Sequence, residues 1–335
     1  MVLLIVLYLF FAAVSIFWSS HFEIALLFKY LALAVSTLVF CITPSYLNRV
    51  TNLSSVELLS QIFFVLFPVA VLSTVYSVIS FYQLNALNQR LEFFGRLDGP
   101  ITHSVVNALL ILVSIGFLEQ VRNWWWRGGI IFGIVLLGIG ILLSQSRGPM
   151  LALCIALPVQ LWLLKMYRSL IIIIILLGAS ILLFVNNTEL MNLMTTRGTS
   201  LRPEIWSLIW QSMSGNMWLG HSILPEQRMS LPILGEVHHA HNLMIASFYH
   251  LGSLGLMLHL GIIIIWFKSI LSLQNNQSKA VAFGVFAFTL IHFQFDGGIL
   301  LTKPDVLWWG VWLPISWVLM EQNQVQIFKA LKGNQ

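Results

Sequence analysis

The sequence predicts an all-α, polytopic membrane protein of about ten transmembrane helices, with one long outer loop that itself holds short amphipathic helices. Composition is the first observation behind this. Of 335 residues, 58% are hydrophobic and 9% charged, with mean hydropathy +0.88, well outside the range of water-soluble domains. The second is that apolar runs recur along the whole chain, each near the 20 residues that span about 30 Å of hydrocarbon at 1.5 Å per residue. The third is that no polar stretch is long enough for a separate soluble domain. Residues 1–335 therefore read as a single integral membrane domain, with the loop 187–249 inside it.

The apolar segments fall at 2–18, 24–43, 57–80, 102–120, 128–144, 149–166, 168–186, 250–270, 279–300 and 305–321. The first has neither a basic leading region nor a small-residue cleavage pattern, and reads as a retained helix. Cys41 and Cys154 lie in apolar segments, where a thiol serves as a small hydrophobe and gives no indication of compartment. Orientation follows from the short loops, because Lys and Arg collect on the cytoplasmic side. With the N-terminus inside, the inner loops and tail carry Arg49, Arg122, Arg127, Lys165, Arg168, Lys268, Lys279, Lys329 and Lys332. The outer short loops carry Arg90, Arg96, Arg147 and Lys303, and the long outer loop carries Arg197, Arg202 and Arg228.

The outer loops thus favour arginine and the inner ones mix it with lysine. A guanidinium offers a planar fork of donors that fits phosphate oxygens, so an arginine-rich outer face points to an anionic, phosphorylated ligand. Snorkelling to headgroups or pairing with loop carboxylates is the plainer alternative. In LLSQSRGPMLAL, Arg147 sits in a very short break between two apolar helices, with Gly148 and Pro149 ending one and starting the next, and Ser144 and Ser146 placed to help cradle an anion. QRLEFFGRLDGPITHS places Arg90, Arg96 and Asp98 before a helix that starts near Pro100, a weaker pattern.

In TTRGTSLRPEIWSLIWQSM, Pro203 suits a first helical turn, and Ile205, Leu208, Ile209 and Leu219 or Met213 give the apolar face of a helix expected on the membrane surface. Its positive dipole end would stand beside Arg197 and Arg202 as an anion site. Trp206 and Trp210 share another stripe, suited to anchoring at the interface or to stacking on sugars.

GEVHHAHNLM, at 235–244, then groups His238, His239 and His241 where the long loop enters the next helix. Neither HExxH nor a Cys/His ligand spacing is present, so no metal or other cofactor is expected, although His238, His241 and Glu236 or Asp296 leave a metal reading open. Proton transfer fits better, since an imidazole can accept a hydroxyl proton near neutral pH. Asp296 in HFQFDGG could orient a histidine or meet an arginine, while His250, His259 and His292 read as satisfied hydrogen-bonding groups between helices.

The order SQSRG, RGTSLRPEIW, NMWLGHS and HHAHNLMIASFYHLGSLGL resembles the O-antigen ligase family of bacterial inner-membrane glycosyltransferases over about 85–320. The resemblance implies a metal-independent transfer of glycan from undecaprenyl diphosphate to a hydroxyl of lipid A-core or another glycolipid acceptor. It places a multi-pass protein in the inner membrane, with cytoplasmic termini and a site facing the periplasm, so that the loop 187–249 is periplasmic. Carried over by position, His241 is the base and Arg147 and Arg202 bind the diphosphate, with Arg197 beside them. Arg96, His238, Asn242 and Asp296 are supporting or substrate-binding candidates. Membrane lipids are the other expected partners, and nucleic acid is not one. An O-antigen polymerase joining lipid-linked repeat units shares the same motifs. A non-enzymatic transporter of lipid-linked glycan is a further alternative, against which stands the lack of a clear internal repeat. Ligases of this family usually have about twelve transmembrane helices, and the apparent shortfall here is N-terminal.

Overall fold

The computed structural model describes residues 1–19, 22–51, 53–84, 90–91, 93, 99–118, 120–186, 201–224, 229–231, 235–237 and 240–333. In chain order these form α1 (Val2–Val14), which continues as a 3-10 turn Ser15–Trp18, then α2 (Ile24–Thr51), α3 (Ser55–Leu84), α4 (Pro100–Phe117), α5 (Trp124–Ser144), α6 (Arg147–Leu163) and α7 (Tyr167–Asn186). After these come α8 (Arg202–Ser212), strands β1 (Met229–Leu231) and β2 (Gly235–Val237), α9 (Leu243–Leu271), α10 (Asn276–His292), and a π-helical turn Trp308–Trp312 that leads into α11 (Leu313–Gly333).

Every apolar segment read from the sequence overlaps one of these helices, although 279–300 runs past the end of α10 at His292 into non-helical chain. Among the described residues, α2, α3, α4, α5 and α9 are long and apolar enough to cross a membrane; α1 with its 3-10 turn, α6 and part of α7 are shorter apolar helices. The expectation of an all-helical chain needs one amendment. β1 and β2 pair antiparallel, Met229 opposite Val237 and Leu231 opposite Gly235, as a small hairpin within the long loop. The loop also ends earlier than 249, because α9 begins at Leu243.

Two packing features position the site. Helices α6 and α10 run antiparallel in close contact: Gly284 meets Gln160 near one end, and Gly148 meets His292 at the other. A side chain at Gly284 would collide with Gln160, whose buried amide donates to Leu112 O of α4 at 2.7 Å. The starts of α6 and α9 and the end of α10 consequently share one end of the bundle.

The second feature is a break in α9 at Gly252, whose φ of 64° and ψ of −164° interrupt the helix. Residues 217–222 fill that break with their own backbone. The carbonyls of Tyr249 and His250 accept from His221 N (2.9 Å) and Ser222 N (2.8 Å), and the N–H groups of Ser253 and Leu254 donate to Met217 O (2.7 Å) and Trp218 O (3.3 Å). This satisfies the polar groups that a broken helix would otherwise leave unpaired. Gly220, with φ of 69°, lies against the backbone of residues 250–252 and Gly252 against that of Trp218 and Leu219, with no space for a Cβ at either. The long loop and the first half of α9 are thereby joined. Across the break, Tyr8 of α1, Ser247 and His259 form a buried chain, with Tyr8 Oη to Ser247 Oγ at 3.1 Å and Ser247 Oγ to His259 Nδ1 at 2.9 Å.

Candidate functional site

The SQSRG turn is tighter than the sequence suggested. Gln145, in the left-handed conformation at φ 52°, ends α5, Ser146 precedes α6, and Arg147 is the first residue of α6. Gly148 and Pro149 thus lie inside the first turn of α6 and do not make the break themselves. Nor do the serines cradle an anion. Ser144 and Ser146 are buried, with Ser144 Oγ donating to Ile141 O (2.7 Å) and accepting from Ser104 Oγ (2.7 Å), and Ser146 Oγ donating to Pro100 O (2.9 Å). Arg90 seals the turn through Nε to Ser144 O (3.0 Å) and Nη2 to Ser146 Oγ (3.1 Å). The serine hydroxyls are consumed by structure, and the exposed Arg147 is what the turn presents outward.

Helix α8 has Arg202 and Pro203 in its first turn and no side-chain cap at Leu201. The apolar face forms as expected, with Ile205, Ile209 and Met213 buried. It packs on Ala240, Ala246 and Tyr249, against the start of α9, which corrects the expectation of a face turned to the membrane. Of the two tryptophans, Trp210 is 67% exposed and stacks beside Phe248, whereas Trp206 turns inward and donates from Nε1 to Ala240 O at 2.9 Å. Trp206 therefore holds the residue that precedes His241, a role that its spacing from Trp210 did not reveal.

His241 stands in the left-handed region at φ 51°. For a residue without the freedom of glycine this stores about 1 kcal/mol or more of strain, which the surroundings must hold. They do so on both sides. Asn242 is extended and caps α9, its Oδ1 accepting from Met244 N (2.9 Å) and Ile245 N (3.0 Å). Its Nδ2 donates to Gln294 O and Oε1, each at 3.2 Å, and Leu243 N donates to Phe293 O at 2.9 Å. Asn242 thus acts as a cap and tether, with its side chain committed to the protein.

The segment after α10 also supplies Asp296, whose Oδ1 lies 3.3 Å from His241 Nδ1. A carboxylate can only accept, so this contact places the imidazole proton on Nδ1 and leaves Nε2 with its lone pair. The side chains are 34% and 23% exposed, open enough to meet a ligand. Asp296 Oδ1 as the partner of a histidine is one of the two roles the sequence offered.

His292 departs from expectation. His259 bonds Ser247, and His250 Nδ1 pairs with Ser222 O at 2.7 Å, so these two are satisfied as foreseen. His292 is fully buried, and both of its ring nitrogens lack a hydrogen-bond partner among the described residues. Its Nδ1 faces Gly148, and the charges of Asp296 and Arg202 both reach it. The spacing of His292 and Asp296, four residues apart in HFQFDGG, was the available sign that they share a face.

Arg96, Asp98, Arg197, Arg228, His238 and His239 lie outside the described residues. Among those described, no three His, Cys, Asp or Glu side chains group as metal ligands would. The site is distinct from an apolar cavity of about 330 Å³ lined by residues of α3, α4 and α11 such as Phe63, Leu66, His103 and Trp317.

The bundle and its polar end define a multi-pass helical membrane protein whose histidine, carboxylate and arginines gather where the long loop enters the helices. Residues 132–260 match the O-antigen ligase family. Over 252 residues, 74% of the chain, the sequence is 27% identical to an O-antigen ligase of Pseudomonas aeruginosa, and the match spans 60% of that protein's length. Both matches are to the O-antigen ligase family, the family that the motifs resemble.

Proposed function

We propose that this protein is a ligase-type glycosyltransferase that moves a glycan from undecaprenyl diphosphate to a hydroxyl of lipid A-core, at the periplasmic face of the bacterial inner membrane. In this reading the bundle spans the membrane about ten times, both termini are cytoplasmic, and residues 187–249 form the periplasmic loop. The observation that carries it is the His241–Asp296 pair at the mouth of α9, with Arg202 close by and Arg147 next to the Gly148–His292 contact.

His241 Nε2 takes the proton from the acceptor hydroxyl, and the freed oxygen attacks the anomeric carbon of the glycan. As that bond forms, the bond from the anomeric carbon to the diphosphate oxygen breaks. The electron pair leaves on the diphosphate. Asp296 accepts from Nδ1–H, fixes the tautomer, and stabilises the imidazolium that results. Arg147 and Arg202 stabilise the charge that grows on the leaving diphosphate, with Arg197 as a further candidate. Arg96 and His238 are assigned supporting positions near the substrates.

The test is transfer by the purified protein with lipid-linked glycan and separate acceptors. Wild type is expected to label lipid A-core, and His241→Ala to lower the rate by about a hundredfold or more. An unchanged rate in the variant would remove His241 from the chemistry. Product that grows on the lipid-linked glycan instead of lipid A-core would replace the ligase by a polymerase, and movement of glycan across vesicles without a new bond would replace it by a transporter.

A further inference from the structure

Burial of an imidazole with neither nitrogen bonded is unfavourable, by about 1–3 kcal/mol for each unsatisfied group, and calls for an explanation beyond packing. His292 is in that position at the end of α10, held by ring contacts to Phe288 (5.7 Å between centroids, stacked) and Phe293 (4.8 Å, edge-on). It does not stand alone. Arg202 Nε is likewise buried and without a partner among the described residues, and its charge reaches His292.

The neighbours on the other side are also donors in surplus. Nδ1 of His292 would lie 3.3 Å from a Cβ at Gly148, so the ring faces the first turn of α6, whose preceding residue Ser146 makes no side-chain cap. The start of a helix carries unpaired N–H groups and the positive end of its dipole. An uncapped helix start and an imidazole with an N–H to give thus meet, within reach of the Arg202 charge. Asp296 is the carboxylate near them and its Oδ1 is already engaged by His241, so donors outnumber acceptors, and a ligand that brings several acceptor oxygens would satisfy them.

We propose that His292 is a substrate-binding residue that donates to a phosphate oxygen of a diphosphate, alongside Arg202 and the first turn of α6. This rests on the diphosphate-linked donor of the proposed function and adds to it a group that family position does not supply. His292 then performs a task different from that of His241: it holds the leaving group, while His241 removes the proton from the acceptor. A buried ring suits this because the stacking on Phe288 aims its N–H, so that a ligand oxygen entering beside the first turn of α6 meets a donor already oriented.

The experiment measures binding of inorganic pyrophosphate by the full chain in detergent, for wild type, H292F, H292N and H292Q, with phosphatidylglycerol in mixed micelles as a parallel ligand. H292F keeps the ring against Phe288 and Phe293 but has no N–H. It is expected to weaken pyrophosphate binding about tenfold, the equivalent of about 1.4 kcal/mol, and H292N or H292Q, which keep a donor, are expected to recover part of the loss. Recovery by an amide separates a donor from a purely structural ring and holds even if H292F fails to fold. Wild-type affinity in H292F, no gain from either amide over H292F, absence of pyrophosphate binding in wild type, or dependence on His292 of phosphatidylglycerol binding alone would each overturn the inference. Because the probe contains no glycan and no acceptor, a wild type that binds pyrophosphate through His292 but transfers nothing would count against the proposed function and not against this one.

Discussion

Helices α9 and α6 both begin against the end of α10, and they are finished in opposite ways. The start of α9 is closed: Asn242 caps two N–H groups, its amide reaches Gln294, and Leu243 N is bonded to Phe293 O. The start of α6 has no side-chain cap, since the Ser146 hydroxyl is spent on Pro100 and Arg90. Helix α8, which opens on Arg202, is uncapped in the same way. Elsewhere α5 is capped by Asn123 and α10 by Asn275, and a Ser54–Glu57 capping box precedes α3. Side-chain closure is found at these scaffold helices and at the turn that aims His241, although α1 and α4 also begin without a side-chain cap. The starts that carry Arg147 and Arg202 leave their polar ends for something else.

The contrast can be broken most forcefully at an open start. Arg147→Ala is expected to lower glycan transfer by about a hundredfold, as loss of a donor to a developing charge does, while the unfolding temperature stays near that of wild type because the side chain is exposed. Arg147→Lys keeps the charge without the bidentate fork and should recover only a fraction of the rate. At the closed start the pattern is reversed. Asn242→Ala should cost about 1–2 kcal/mol of stability in denaturant unfolding, and transfer should fall as a consequence of a loosened His241 turn. Asn242→Asp keeps the cap oxygens and should preserve more of that stability.

A smaller effect is expected from Trp206→Phe, which removes the bond to Ala240 O and keeps most of the packing. A loss of about 1 kcal/mol in unfolding and a modest drop in transfer would mark Trp206 as a positioning residue. The smallest lies at the remote closed start. Glu57→Gln retains a side chain able to complete the capping box, so transfer should be unchanged and the unfolding temperature should move little. A large loss of transfer there would show that closure and function are not separable.

What could be read from the chain follows from the range of each interaction. The helices were legible because apolar length is a property of contiguous residues, and the apolar face of α8 because Ile205, Ile209 and Met213 recur at helical spacing. The polar ends of the bundle were legible in kind: arginines, a histidine and Asp296 at the same face. Their partners were not. Ser144 and Ser146 seemed available for an anion until Pro100, Ser104 and Arg90 engaged them from distant parts of the sequence. Trp206 resembled an interface anchor because its bond to Ala240 spans 34 positions. His292 resembled a satisfied group because helical histidines usually find an acceptor, and its isolation depends on what α6 and α8 bring near it. The β1–β2 hairpin had no strong signal in its three-residue strands.

The joint at Gly252 has a consequence for how relatives of this chain can diverge. It is made mainly from carbonyls and N–H groups, with Ser253 Oγ on Met217 O and His250 Nδ1 on Ser222 O as side-chain additions, so much of the code for it is written in the absence of two side chains. Met217, Trp218 and Leu219 project outward from the joint and are free to drift among residues of many kinds. Gly220 and Gly252 can drift only together with the backbone itself. A lineage can therefore rewrite the surface of this loop while the geometric relation between Arg202 and His241 is inherited unchanged.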